Sequence, residues 1–284
     1  MTSLPLGVAV PLAHALTHRL LSTAGIRVLF IKGPVAQAQG LREAKTSGDV
    51  DVLCDPADLA AATDLLIGAG WQPHDGNAAD SAAVGAHAAT FAIPGWPCTV
   101  DLHGHFPGLL APPAEVFAAL WARHTEIELA HQAIPAPDRV DHAVILGVNS
   151  LRTLRPVQTG GPDGAFAVAV AALKGGDRDE IREAARALGA LEPLRESLIE
   201  AGIDPGPPDP RYAREFAIWE VRREHPSDPG VQWLTRWQAA AWRARPQLLY
   251  RAVWDVSLDA SRTPAEWAQA PAWQRGQARA RRLG

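Results

Sequence analysis

The chain has 284 residues, 47% of them hydrophobic and 20% charged, proportions that suit a globular protein able to bury one large core or two modest ones. A formal charge of −4 and an isoelectric point near 6.2 exclude the general electrostatic footprint of a nucleic-acid binder, and two cysteines exclude a disulfide scaffold. No run approaches the length of a membrane span and no basic stretch precedes an apolar one at the N-terminus, so a cytoplasmic protein is expected.

From Pro11 to Ala24, Leu12, Ala15, Leu16 and Leu20 recur at helical spacing, which predicts a helix ahead of the first strand. Arg27-Val28-Leu29-Phe30-Ile31 reads as a buried strand that runs into Lys32-Gly33-Pro34, and Val35 to Leu41 then has helix-compatible composition. Proline suits a first helical position, since its φ is already helical and its missing N–H would have had no partner there. Gly33 allows close approach of a ligand to the backbone, and a helix start favours negative charge, so this turn is a candidate triphosphate seat. Lys32 would add a direct charge contact; its other reading is a solvent-facing turn residue.

Ser47-Gly48-Asp49-Val50-Asp51-Val52-Leu53 is the most informative stretch. Residues two apart on a strand share a face, so Asp49 and Asp51 project together and repel unless a cation lies between them. Mg²⁺ is the simplest such ion, being bound by one or two protein carboxylates together with substrate phosphates. A helix is expected from Asp55-Pro56 through Leu66, ending near Gly68 and Gly70. A strand over His87 to Ile93, the turn Pro94-Gly95-Trp96-Pro97 and a strand at Cys98-Thr99-Val100-Asp101-Leu102-His103 predict a hairpin carrying a third carboxylate, Asp101. Three strand-borne acids point to metal-dependent phosphoryl transfer. His103 and His105 would form H-x-H on one strand face if the strand continued, and Cys54 and Cys98 read as small buried core residues.

Glu126 to Leu129 reads as a further strand. After Pro135-Ala136-Pro137 the chain turns helical, over Arg139 to Leu151, Phe166 to Lys174 and Arg178 to Leu188, with breaks at Pro156–Gly164 and Asp204–Pro210. Seven of the ten tryptophans fall between Trp219 and Trp273, and Trp233, Trp237 and Trp242 sit near helical spacing, as packing rings or as an acceptor-binding wall. Arg275, Arg279, Arg281 and Arg282 make the last residues basic.

The series Phe30-Ile31-Lys32-Gly33-Pro34, Ser47 to Leu53 and Val100-Asp101-Leu102-His103 resembles an uncharacterised nucleotidyltransferase family of the DNA-polymerase-β-like superfamily, over roughly residues 10 to 150. Two departures stand out. Many superfamily members carry Gly-Ser in the turn after the first strand, where this chain has Lys32-Gly33. The family's arginine four residues before the first aspartate is Lys45 here, which keeps the charge and loses the bidentate fork.

The resemblance implies an α+β fold: a nucleotidyltransferase-like mixed β-sheet with flanking helices over residues 1–136, followed by a mainly helical C-terminal domain over 137–284. It implies Asp49, Asp51 and Asp101 as catalytic metal ligands, Lys32, Gly33, Lys45, Gly48 and His103 as nucleotide-binding residues, Mg²⁺ or Mn²⁺ as cofactor, and an NTP such as ATP as co-substrate. The expected reaction moves an NMP group to a hydroxyl or phosphate of a small-molecule or peptide acceptor, as in natural-product pathways, and releases pyrophosphate. A toxin-type enzyme acting on RNA would need a basic surface near the triad, against which the overall acidity argues. A non-catalytic nucleotide- or partner-binding module is the remaining reading, against which the intact acids argue.

Overall fold

The computed structural model describes residues 4–73, 88–151 and 162–225, with positions 231, 237, 245 and 246. The chain divides into two compact units, Met1–Arg223 and Glu224–Gly284. In the second, the Arg245 guanidinium lies over the Trp237 ring, 5.8 Å from its centre. Trp233, Trp242 and the basic run from Arg275 to Arg282 lie outside the described residues.

Helix α1 (Leu6–Thr23) begins at Leu6 rather than at Pro11, which falls inside it. An internal proline removes a helical hydrogen bond. The helix extends past it because Ala9 and Val10, N-terminal to the proline, are buried with Ala13 and Leu21 against the sheet.

Five strands form one mixed sheet in the order β1-β2-β5-β4-β3: β1 (Val28–Ile31), β2 (Asp49–Cys54), β3 (Gln72–Pro73), β4 (Ala88–Ala92) and β5 (Thr99–His103). Only β2 and β5 run parallel; β4–β5 is the expected hairpin. The period of two sorts the side chains into two cores. Val28, Phe30, Val50, Val52, Val100 and Leu102 pack with α1, with α3 (Leu59–Gly68) and with Trp71. Leu29, Ile31 and Leu53 point the opposite way into a second core built from the helices that follow. Both faces of β1 are therefore covered, which is why Val28–Ile31 reads as a continuous apolar run.

That second core is supplied by α4 (Pro113–Ala122), α5 (Arg139–Ser150), α6 (Pro162–Ala172), α7 (Gly175–Ala187) and α8 (Arg195–Glu200). Between α4 and α5, β6 (Thr125–Leu129) pairs with β7 (Gln132–Ala136) in a separate hairpin. Ala130 and His131 at its tip have φ of 49° and 60°, as a two-residue turn matched to strand twist demands. Asp138 caps α5 by accepting the Asp141 backbone N–H at 2.8 Å. This helix is buried almost all round, the mark of a central core helix. Its Gly147 lies where a Cβ would come within 2.7 Å of Phe166 and 2.9 Å of Leu194, so only glycine lets the neighbouring helices close onto it. In α9 (Ala213–Glu224) Trp219 is buried and stacks with Phe216, a packing ring. Among the described residues no helix is long and apolar enough to cross a membrane.

Candidate metal and phosphate site

The parallel register of β2 and β5 sets Asp51 directly opposite Asp101, Asp49 opposite Thr99 and Leu53 opposite His103. Asp49, Asp51, Asp101 and His103 thus share the sheet face that looks toward the second core. Asp51 is almost wholly buried and its Oδ1 meets two cationic or hydrogen-bonding partners: Lys32 Nζ at 2.5 Å and His103 Nε2 at 3.0 Å. The ammonium also lies 5.6 Å from the centre of the Phe106 ring, whose face favours a cation. Burial alone would push the Asp51 carboxyl up. The His103 hydrogen bond and the Lys32 charge outweigh it and hold the carboxyl below its ordinary value. Asp49 goes the other way: burial, and then the Asp51 charge, raise it against the opposing pull of Lys32.

Asp51, Asp101 and His103 each offer one ligand atom, all within 4.8 Å of one another. Oδ1 of Asp101 is buried and has no hydrogen-bond partner among the described residues. An unpaired carboxylate oxygen away from water is costly. A divalent cation would satisfy that oxygen and neutralise the acidic pair, so the donor set fits a metal ion.

The turn after β1 is unusual in its backbone. Lys32 has φ 59° and ψ −152°, a region costing a non-glycine residue roughly 1–3 kcal/mol, and Gly33 follows with φ 43° at the start of α2 (Gly33–Ala38). The Lys32 carbonyl accepts the Ala36 N–H at 2.9 Å, so this residue caps the short helix. Its own N–H donates to His142 Nε2 at 2.7 Å. Nδ1 of His142 therefore carries the proton and donates to Gln39 Oε1 at 2.6 Å, while Gln39 Nε2 donates to the Pro137 carbonyl at 2.7 Å. Complete burial pushes the His142 imidazole down to about 3.

Of the residues expected from sequence, the structure brings together Asp49, Asp51, Asp101, Lys32 and His103. Gly33 closes the turn beside them. Gly48 is exposed, and its carbonyl accepts the Thr99 N–H at 3.4 Å, helping to start the β2–β5 pairing. Lys45 is exposed in the loop before β2. His105 is not on the strand face of His103: β5 ends at His103 and the chain bends at Gly104, so the H-x-H pattern does not form a strand pair. Cys54 and Cys98 are buried free thiols, and burial raises Cys54 to about 12.

Three participants were not foreseen. Ser47 brings a hydroxyl to the turn from another segment: its Oγ lies 3.2 Å from where a Gly33 Cβ would sit. His142 and Gln39 reach the turn across separations of 110 and 103 residues along the chain from their partners. Nothing local in the sequence marks such a pairing.

Residues 14–153 match a protein family described as an uncharacterised nucleotidyltransferase. A crystal structure of an antigenic nucleotidyltransferase-like protein from Paracoccidioides brasiliensis is 15% identical, with a TM-score of 0.43, over 70% of this chain and 94% of that one. No curated protein matches the chain.

Proposed function

We propose, on the premise that residues 14–153 belong to the uncharacterised nucleotidyltransferase family, that the protein transfers a nucleoside monophosphate from an NTP to a hydroxyl or phosphate of a small-molecule or peptide acceptor. One observation supports the reading above the rest. Asp51 and Asp101 face each other across a parallel strand pair, with an unpartnered buried oxygen on Asp101 and an ammonium beside Asp51.

In this reading Asp49, Asp51 and Asp101, with His103, hold Mg²⁺ or Mn²⁺. What the cation supplies when bound is positive charge against the phosphates and the charge that develops on them. Lys32 leaves Asp51 for the polyphosphate and orients it as a point charge. Gly33 and Ser47 shape the turn beside it, and Lys45 and Gly48 border the entrance to β2. An acceptor oxygen donates its electron pair to the α-phosphorus while the bond from that phosphorus to the bridging oxygen breaks, and the pair leaves with pyrophosphate. The acceptor's proton passes to a carboxylate within hydrogen-bond reach, the role assigned to Asp101.

Incubation of the full chain with Mg²⁺ or Mn²⁺, each NTP in turn and fractionated cell extract, following pyrophosphate release and label transfer, tests the proposal. Transfer that disappears in Asp101→Asn is the expected result. Nucleotide binding without turnover in any fraction would favour a binding module instead.

A further inference from the structure

The costliest backbone feature at the site and its most deeply buried hydrogen-bonded histidine are joined to each other. Lys32 occupies a φ/ψ region that glycine adopts freely and a side chain does not, yet a glycine here would supply no ammonium for Asp51. Such a conformation persists only where its surroundings over-determine it. Three contacts do so: the Lys32 carbonyl is held by Ala36, the ammonium by Asp51, and the N–H by His142 Nε2 at 2.7 Å.

We infer that His142 is a positioning residue: as the Nδ1–H tautomer, held by Gln39, it fixes the Lys32 backbone so that the ammonium projects onto Asp51. The orientation comes from a relay anchored in main chain. Pro137 O holds the Gln39 amide, whose oxygen takes the Nδ1 proton and so leaves Nε2 as the acceptor that Lys32 N–H requires. A doubly protonated ring has no acceptor and would face the Lys32 N–H with another donor. The consequence for ligands rests on the nucleotidyltransferase reading, in which Lys32 meets the polyphosphate; the clamp itself does not.

A stability cycle of His142→Asn and Lys32→Gly, with Lys32→Ala as the strained variant lacking the ammonium, tests the clamp directly. Once the clamp is gone an alanine at 32 can relax and recover its strain, whereas glycine has none to recover, so His142→Asn is expected to lower the melting temperature less in the alanine background than in the glycine one. Equal losses in both backgrounds would overturn the inference and leave His142 a packed core histidine.

Should His142→Asn not fold, Gln39→Met removes only the orienting acceptor. Imidazole nitrogen spectra of the wild-type chain should show Nδ1–H on His142 at neutral pH, and an Nε2–H ring would refute the relay. In Gln39→Met the Lys32 amide should exchange with solvent on the order of tenfold faster, the worth of about one hydrogen bond. Unchanged exchange would also refute it. Magnesium tripolyphosphate, titrated calorimetrically, separates the two readings: weaker binding in Gln39→Met supports both. Faster Lys32 exchange with unaltered tripolyphosphate affinity upholds the clamp and counts against Lys32 as a phosphate ligand.

Discussion

The two strand carboxylates at the centre of the site carry opposite electrostatic burdens. Asp51 is stabilised as an anion by His103 and Lys32, whereas Asp49 is raised by burial and by its neighbour's charge. Asp51→Asn should therefore lower the melting temperature measured without metal, by about 1–3 kcal/mol of stability, because it leaves a largely buried ammonium poorly paired. Asp49→Asn should leave stability unchanged or raise it, increasingly so with pH. A native carboxyl raised above its unfolded value loses stability as pH rises through its folded range, and the amide has no such loss. The reverse order of the two variants would contradict this assignment of charges. Asp141, beside His142 on α5, offers a second titration. Burial, with the Asp138 charge adding and Arg123 opposing, raises it to about 7. The folded carboxyl keeps its proton to about that pH, while the unfolded one releases it near 4, so stability falls as pH rises through the window. The melting temperature of Asp141→Asn relative to wild type is expected to become more favourable between about pH 5 and pH 8. A constant difference would refute the shift.

Among the elements, glycines distinguish neighbours that can yield from those that cannot. Gly189 follows α7 with φ 71°, and a Cβ there would lie 2.4 Å from the Ala111 backbone nitrogen. Gly189→Ala combines a left-handed strain with a clash against main chain and should cost more than about 2 kcal/mol in denaturant titration. At Gly104 the obstruction is the Leu59 side-chain tip at 2.6 Å, which can rotate away, so Gly104→Ala should cost markedly less. Comparable losses would mean that the loop after α7 shifts easily. The elements were also where the sequence was most legible. Alternation in Ser47–Leu53 and in Cys98–His103 predicted β2 and β5, and apolar spacing after Pro137 predicted α5 and α7 to within a turn. Helix α1 starts before Pro11 because a proline favoured at a helix start is tolerated within one, where burial of Ala9 and Val10 opposes its cost. The strand order and the His142 contact to the Lys32 turn were beyond reach. Both depend on packing between distant segments, which no local period records.

For the molecule as a whole, the site lies where a sheet face meets the second core, so the helices after Pro137 are part of what builds it. A chain ending near Pro137 would lose α5 with its His142 and expose Leu29, Ile31 and Leu53. It is expected to be insoluble or molten, as judged by expression and by loss of a cooperative transition. Within the other core, Trp71 is fully buried, and Trp71→Ala should cost about 3–5 kcal/mol while leaving any metal response of the remaining folded protein intact. That response is itself predicted: Mn²⁺ should raise the melting temperature of wild type, with saturation at a hundredfold excess over Kd adding about 2.7 kcal/mol, and should do so far less for Asp101→Asn. Equal shifts in both proteins would place the ion elsewhere.

The pairing of Asp51 with Asp101 also bears on how the chain finds its fold. A strand that slips by one residue turns every side chain to the opposite face. Were β5 to slip against β2, Asp101 would be driven among Phe30, Val50 and Val52, and Val100 would enter the acidic cluster. Each error is expensive, and the two occur together. The same carboxylates that burden the native state with repulsion thus also penalise its nearest misregistered competitor, so a chain with Asp49, Asp51 and Asp101 replaced by amides would hold its parallel strands in register less faithfully even where it melted no sooner.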